Sequence, residues 1–168
     1  MFRFSGTTTT RRTTRPTRRT TTRRPAPTAP STAVMTAQVR QTFVDLHNKF
    51  RSQVALGKWP NGQRNPPLPQ ASNMRRMKWD NSLENSATAR ARLCNLNLAQ
   101  VHLNENLHVA TLQPSFVMAA DEAVTDWFDE IKADGINRRV MYHIHLHNKP
   151  TACRGFLKAA WGNSYKLG

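Results

Sequence analysis

The chain has 168 residues and a formal net charge of +15, with 25 basic and 10 acidic residues. This length suits one domain with or without an extension. Two cysteines permit at most one internal disulfide, which excludes a small scaffold held by several disulfides. No stretch approaches the roughly 20 apolar residues of a membrane span, and the first residues lack the apolar core of a secretory signal. Either the protein is cytosolic or the chain lacks its true start.

The first part of the chain differs in composition from the rest. Residues 1–32 are almost entirely Thr, Arg, Pro, Ala and Ser, with eight arginines and no acidic residue. Ordering such a segment costs backbone entropy without burying apolar surface in return. We therefore predict a disordered tail or linker over residues 1–35 and a folded domain over 36–168. Dense Thr with interspersed Pro is typical of O-glycosylated mucin-like stalks, which implies secretion.

The arginines of this tail support a second interpretation. Each guanidinium can neutralise a phosphate and release a counterion without any fold, so the tail is also a candidate polyanion-binding arm. No aromatic residue follows Phe4 within the tail to stack on a base, and nucleic acid is therefore the less favoured partner.

The folded part begins with apolar residues at spacings of three and four, which predict an amphipathic helix from Thr36 to a stop at Gly57. These residues are Val39, Phe43, Leu46, Phe50 and Val54. Residues 58–73 contain four prolines and are predicted to form a loop.

Two more helices are predicted further along the chain. The first is capped by Asn81 or Ser82 and is expected to face inward through Leu83, Ala87, Ala91 and Cys94. The second runs from about Ser115 to Ala133 and ends at Asp134-Gly135. Its predicted apolar side consists of Phe116, Ala120, Val124, Trp127 and Ile131.

Beyond Gly135 the pattern changes to an alternation typical of a strand over Val140–His147, and Tyr165–Gly168 is predicted to be a second strand, cut short. The alternation would place His143, His145 and His147 in one row. Three imidazoles can bind zinc, copper or nickel, but neighbours two apart on a strand lie about 7 Å from each other. They are therefore weak candidates for a metal site, and a solvated polar face is favoured.

Four stretches of the sequence resemble the CAP superfamily of cysteine-rich secretory, antigen 5 and pathogenesis-related proteins, especially its nematode venom-allergen-like branch. The first covers Leu46–Ser52, Ala55–Gly57, Ala71–Asp80 and Leu83-Glu84. The second, Asn104-Glu105-Asn106-Leu107, is similar to the family's Gly-Glu-Asn-Leu signature. The third is Ala123–Ile131, and the fourth, Gly155–Gly168, resembles the Gly-His-Phe-Thr-Gln-Met-Val-Trp block and the strand after it.

This resemblance implies an α+β fold, an α-β-α sandwich of CAP type, with the sheet left incomplete because the chain stops before the family's last strands. It also implies secretion and a central cleft, which in many members holds a divalent metal through two His and two Glu. Members are linked to lipid or sterol binding and to host interaction, and they generally lack an established catalytic activity. Met74, Met77, Trp79, Trp127 and Trp161 are expected to pack in the core rather than to line a lipid groove.

Only the carboxylate half of this cleft carries over. Glu105 and Glu130 stand at the positions of the two glutamates, whereas Gly155 stands at one cleft His and the other is expected near Leu98, with His102 out of register. Two carboxylates without imidazoles suit zinc poorly. We expect both glutamates to serve hydrogen bonds, assign no cofactor, and keep divalent metal binding as the less favoured alternative.

The sequence shows no nucleophile elbow, no Cys-His signature and no phosphate-binding glycine loop, so no catalytic residue is assigned. Cys94 and Cys153 can pair with each other, or their partners can lie beyond the chain. The predicted function is that of an extracellular, non-catalytic binding or interaction module for an unknown protein or lipid ligand. The alternatives are a metal-dependent hydrolase that uses Glu105 and Glu130, and a polyanion-binding protein that acts through the arginine tail.

Overall fold

The computed structural model describes residues 35–94, 105–110, 113–137, 139–141, 146, 148 and 153–168. All of these lie in the compact unit Ala33–Gly168. The predicted disordered tail, apart from Met35, lies outside the described residues and stays a prediction. In the part of the chain that the structure describes, every helix is too short or too polar to cross a membrane.

Helix α1 spans Ala37–Ala55 and confirms the first predicted helix. Thr36 is its N-cap, because the Thr36 hydroxyl accepts a hydrogen bond from the Val39 amide at 3.2 Å. The chain turns away at Gly57, whose φ of 68° lies in the left-handed region that favours glycine. The apolar stripe predicted for this helix faces the core, with Val54 buried in it.

Helix α2 spans Asn81–Ala91, but its cap and its burial differ from the prediction. The N-cap is Asp80, whose carboxylate accepts from the Ser82 and Leu83 amides at 3.0 and 3.3 Å. The expected inward face is wrong: Leu83 is 42% exposed, and Ala87, Ala91 and Cys94 are exposed as well. The helix is instead held to α1 by a polar contact, a 2.6 Å ion pair between Arg40 and Glu84.

Helix α3 spans Phe116–Asp134, with Ser115 as N-cap and Gly135 at its end. Its position was predicted correctly, but its buried stripe is rotated from the predicted one. Phe116 is 53% exposed, and the centre of the stripe is Phe128, which is fully buried. Trp127 packs at the flank, because its indole N–H reaches the Leu107 carbonyl oxygen at 3.3 Å. The buried residues of α3 are Ala120, Ala123, Val124, Phe128 and Ile131.

The proline-rich loop after α1 is held against the end of α3. The Asn61 side chain donates to the Ile136 carbonyl at 3.0 Å and accepts from the Ile136 amide at 2.6 Å. A side chain at Gly135 would place its Cβ 2.5 Å from the Asn61 carbonyl oxygen, and the φ of 72° there favours glycine as well. The predicted loop is therefore confirmed, and Asn61 fixes its far end.

Helix α4 spans Arg154–Ala160 and is followed by a short strand. Strands β1 (Lys78–Trp79) and β2 (Lys166–Leu167) pair in parallel, with Lys78 opposite Lys166. The predicted strand over 165–168 is thus confirmed in its centre.

The strand predicted over Val140–His147 is wrong in the positions that the structure describes. Val140 has a φ of 51° and bonds to the Asn137 carbonyl, which makes a turn. Leu146 is helical and buried. The remaining positions of that prediction lie outside the described residues.

The core lies where α1, α3 and α4 meet. The Phe128 ring contacts Phe50, Trp59 and Phe156 at centroid separations of 5.0, 6.0 and 5.9 Å, with His47 at 5.9 Å on another side. Such aromatic pairs stabilise a core by about 0.5–1.5 kcal/mol each beyond their buried area. The helices and the short parallel sheet together give an α+β fold.

Candidate functional site

The Glu130 carboxylate meets the first turn of α4. Its Oε2 accepts hydrogen bonds from the Gly155 amide at 2.6 Å and from the Phe156 amide at 3.1 Å. These are backbone donors that the first turn of a helix leaves without an intrahelical partner. One of the two predicted cleft glutamates therefore anchors α4 to α3 through its side chain.

The close approach depends on the absence of a side chain at Gly155. A Cβ built there would lie 2.6 Å from Glu130 Oε1 and 3.0 Å from its Cδ, closer than real Cβ contacts allow. The resemblance places a cleft histidine at Gly155. In this chain the Glu130 carboxylate contacts the backbone at that same position.

Lys158 provides the positive charge beside the glutamates. Its ammonium donates to the backbone carbonyl of Glu105, and it interacts electrostatically with the Glu105 and Glu130 carboxylates. Burial lowers the pKa of Lys158, while the attraction of Glu130 acts in the opposite direction. Burial raises the pKa of Glu130, against the hydrogen bonds from Phe156 and Gly155 and the charges of Lys158 and Arg154.

The described residues of this site, Glu105, Glu130 and Lys158, do not by themselves fit a zinc ion. A zinc site of this family type uses imidazole nitrogens together with carboxylates. Here the Glu130 carboxylate is already bonded to two amides and an ammonium group lies beside it. A second cation at the same point would be repelled by Lys158. The arrangement holds two chain segments together, because the Glu130 side chain of α3 bonds to the backbone of α4.

The other predicted site residues are only partly described. His143, His145 and His147 lie outside the described residues, as do Leu98 and His102, so both histidine predictions stay untested. Cys94 is exposed at the end of α2 whereas Cys153 is buried before α4, and the structure does not join them in a disulfide.

Sequence reasoning did not assign a role to three polar residues on one side of α1. Asn48 bonds to both the amide and the carbonyl of Met77, at 2.8 and 3.0 Å. His47 is buried, and its Nδ1 lies 2.8 Å from the Phe43 carbonyl oxygen. Burial lowers the pKa of His47 to about 4, so the imidazole is neutral near pH 7.

Arg51 is the third of these residues and links α1 to the strand segments. Its buried guanidinium donates to the backbone carbonyls of five residues. The distances are 2.6 Å to Arg75, 2.8 Å to Ala159, 2.9 Å to Trp161 and Ser164, and 3.4 Å to Gly162. Burial lowers the pKa of Arg51 to about 10. The spacing of His47, Asn48 and Arg51 was the available signal, since it places three polar residues on one side of the helix, directly beside the apolar stripe.

An apolar pocket opens beside α4. It has a volume of about 330 Å³, and its polar lining includes Gln70, Asn73 and Asn163. Trp161 at 50% exposure and Met141 at 56% are its large accessible residues. The expectation that Trp161 packs in the core is therefore wrong, while Met77 is buried as expected. The apolar lining is Val54, Leu68, Pro69, Ala71, Met74, Ile136, Val140, Met141, Leu146, Phe156, Leu157, Ala160 and Trp161.

The sequence profile of the cysteine-rich secretory protein family, CAP, matches residues 44–168. The chain belongs to the CAP family. The solved structure of NaASP2 with Zn²⁺ superimposes with a TM-score of 0.71 at 26% identity, over 80% of this CAP chain and 72% of that one. Na-ASP-1 gives a TM-score of 0.69 at 29% identity, over 83% of this chain and 36% of that one. The expected CAP fold is thereby confirmed.

Curated relatives of this CAP chain agree with the family assignment. The Ancylostoma secreted protein of Ancylostoma caninum is 32% identical, over 83% of this chain and 34% of the relative. The CRISP/Allergen/PR-1 protein of Trittame loki is 30% identical, over 77% of this chain and 32% of the relative. The chain therefore spans about a third of the length of these two relatives.

Proposed function

We propose that this CAP protein is a secreted, non-catalytic binding module of the host-interaction type. The observation that carries the proposal is the Glu130 carboxylate, which is bonded to the Gly155 and Phe156 amides at 2.6 and 3.1 Å. A carboxylate whose Oε2 accepts two backbone hydrogen bonds serves the fold, and the Lys158 ammonium beside it disfavours a metal cation at the same place. Secretion is supported by relatives whose names describe a secreted protein and venom allergens.

Lys158 supports the same proposal. The resemblance places Lys158 where the family block has Gln, and its ammonium lies beside Glu105 and Glu130. A fixed positive side chain in this place substitutes for the charge of a metal ion without offering its exchangeable coordination positions. We propose that Lys158, and not a metal ion, balances the negative charge of these two glutamates.

The rival function is a metal-dependent hydrolase at the same glutamates. Full-length protein should be assayed on ester, phosphoester and peptide substrates, with and without added zinc, beside the variants Glu105→Gln and Glu130→Gln. We expect no turnover that depends on either glutamate. Zinc-stimulated turnover that disappears in both variants, while circular dichroism shows an intact fold, would establish the hydrolase instead.

The pocket beside α4 supports an apolar ligand for this module. Its volume of about 330 Å³ lies at the lower end of the range for small-molecule sites. Large apolar side chains at half exposure around a concave surface are typical of binding sites. We propose that the pocket accepts one acyl chain or an apolar group of similar size, with Gln70, Asn73 and Asn163 supplying polar contacts at its edge.

A fluorescent fatty acid such as cis-parinaric acid provides the test. The variant Met141→Asp places a charge at an exposed apolar position of the pocket, and Met118→Asp is the matched control on α3, since Met118 is 49% exposed. We expect Met141→Asp to weaken probe binding at least tenfold and Met118→Asp to leave it unchanged. Equal effects of the two variants, or no saturable binding by the unchanged protein, would reject the apolar site.

A further inference from the structure

A second cluster of polar side chains lies near the start of α3. His108 comes from the segment 105–110, and its Nε2 lies 3.4 Å from Glu122 Oε1 while its Nδ1 lies 3.5 Å from Asp126 Oδ2. Glu122 and Asp126 are one helical turn apart, so their side chains project from the same side of α3. Candidate ligand atoms, one from each of the three residues, all lie within 4.8 Å of one another.

Neighbouring contacts hold the cluster in place. The Trp127 indole N–H donates to the Leu107 carbonyl at 3.3 Å, which fixes the backbone next to His108 against α3. The Gln113 amide donates to Glu122 Oε2 at 2.6 Å, so the other oxygen of that carboxylate points to His108. An amide that orients one oxygen of a carboxylate is a common outer contact of metal-binding carboxylates.

The distances within the cluster are too long for optimal ion pairs. Hydrogen bonds between a charged imidazole and a carboxylate are about 2.7–2.9 Å long, whereas both contacts of His108 exceed 3.3 Å. In a tetrahedral zinc site with bonds of about 2.1 Å, neighbouring ligand atoms are about 3.4 Å apart. The two contacts of His108 use different ring nitrogens, only one of which can bind the ion. With one ligand atom from each residue, the three atoms lie within 4.8 Å of one another, so the ion would have to draw them together by up to about 1.4 Å.

The exposure of the three side chains also suits an ion that exchanges with solvent. His108 and Glu122 are largely enclosed, with side-chain exposures of 14% and 20%, whereas Asp126 is 58% exposed. The enclosed pair is held by its surroundings, and the open side at Asp126 leaves room for water ligands. One neutral imidazole and two carboxylates together balance a charge of +2.

We propose that His108, Glu122 and Asp126 form a binding site for one divalent cation of the zinc type. The imidazole nitrogen selects zinc or cobalt over magnesium and calcium, which prefer oxygen ligands alone. The site uses neither Glu105 nor Glu130, so it is separate from the family cleft. It is also independent of the proposed binding function, which is argued from other residues.

The test is a zinc titration of the full chain against a chromophoric chelator, repeated with cobalt(II) to read the ligand field from its visible absorption. We expect one zinc per chain, at least tenfold weaker binding in Asp126→Asn and Glu122→Gln, and about tenfold weaker binding in Gln113→Ala. Because Asp126 is exposed and Asn has the same shape, the Asp126→Asn variant is expected to fold normally, which circular dichroism checks.

Two matched controls locate the ion. Glu105→Gln tests the family cleft, and the triple variant His143→Ala, His145→Ala, His147→Ala tests the histidine-rich segment; both should bind zinc as the unchanged protein does. The proposal is overturned if the protein binds no zinc at micromolar concentration, if Asp126→Asn and Glu122→Gln bind normally, or if the triple variant loses the ion. A thiolate charge-transfer band in the cobalt spectrum would also overturn it, because it would assign the ion to a cysteine.

Discussion

A Cβ atom added to Gly155 would lie 2.6 Å from Glu130 Oε1. The two residues are 25 positions apart in the chain, and the Glu130 carboxylate accepts a 2.6 Å hydrogen bond from the Gly155 amide. A side chain at Gly155 would require the carboxylate to shift, and the shift would strain its bonds to the Gly155 and Phe156 amides. Glycine is therefore favoured here by a contact and not by a backbone angle.

The first prediction concerns this pair of residues. Gly155→Ala should lower the free energy of unfolding by about 1–3 kcal/mol, because the displaced carboxylate leaves buried amides without an acceptor. In a Glu130→Ala background the same change should be neutral or stabilising, since Ala favours a helix over Gly by about 1 kcal/mol. Urea unfolding of the four proteins measures the coupling. Equal costs in both backgrounds would show that the contact is unimportant.

The second prediction concerns pH. Burial lowers the pKa of His47 from 6.5 to about 4, and the nearby Arg51 charge adds to this, while the bond to the Phe43 carbonyl opposes it. Between pH 6.5 and 4 the His47 imidazole binds a proton in the unfolded chain but not in the folded protein. His47 therefore leaves the free energy of unfolding unchanged above pH 6.5 and lowers it increasingly as the pH falls towards 4. The expected contribution of His47 at pH 5 is a loss of about 2 kcal/mol.

Unfolding in urea at pH 7.5 and pH 5 measures this loss, and His47→Gln is the variant that isolates it. The raised pKa of Glu130 works in the opposite direction, since its contribution falls as the pH rises through that pKa. The difference between the two proteins removes this common background. A variant with the same pH dependence as the unchanged protein would assign the effect to other groups.

The third prediction concerns Arg51. Arg51→Lys should cost at least about 3 kcal/mol of unfolding free energy, because an ammonium cannot reach the carbonyls of Arg75, Ala159 and Ser164 together and leaves some of them unsatisfied. The control is Arg40→Lys, which changes a partly exposed pair with Glu84 and should have a much smaller effect. Equal losses in the two variants would contradict the role of the planar guanidinium.

The fourth prediction concerns the cysteines. Because Cys94 is exposed and Cys153 is buried, a thiol-alkylating reagent should modify Cys94 in the folded protein and Cys153 only after unfolding. Peptide mass spectrometry identifies the modified residue. If neither residue reacts in the unfolded protein before reduction and both react after it, and the unreduced chain is monomeric, Cys94 and Cys153 form the disulfide that the sequence leaves open.

The sequence predicted the helices better than the contacts between them. The positions of α1 and α3 follow from long apolar repeats and from caps such as Thr36 and Ser115, which are local signals. The inward face of α2 was wrong, because a repeat made mostly of alanines fits burial and exposure equally well. The prediction put Trp127 in the buried stripe and left out Phe128. Both are large aromatic residues next to each other on the helix, and the apolar spacing alone does not say which of the two faces the core.

In the candidate site, the residues and the hydrogen-bonding role of Glu130 were predictable, but its bonding partners were not. The resemblance located Glu105 and Glu130, and the expectation that a cleft glutamate serves hydrogen bonds agrees with the bonds of Glu130. Its partners in α4, the Gly155 and Phe156 amides, could not be predicted, since no local sequence pattern links positions 25 residues apart. His108 was overlooked because its carboxylates follow 14 and 18 residues later in another element; two acids four apart on a helix were the only hint.

The carbonyls that Arg51 binds belong to segments that lie far from it in the chain. One bond spans 24 residues to Arg75, and another spans 113 residues to Ser164. Contacts of such long range cannot form until a large loop has closed, so they develop late in folding and slow it. We therefore expect the amides of the parallel strands β1 and β2 to become protected against hydrogen exchange later than those of α1. This protection should appear in the same folding step in which the Arg51 guanidinium is buried.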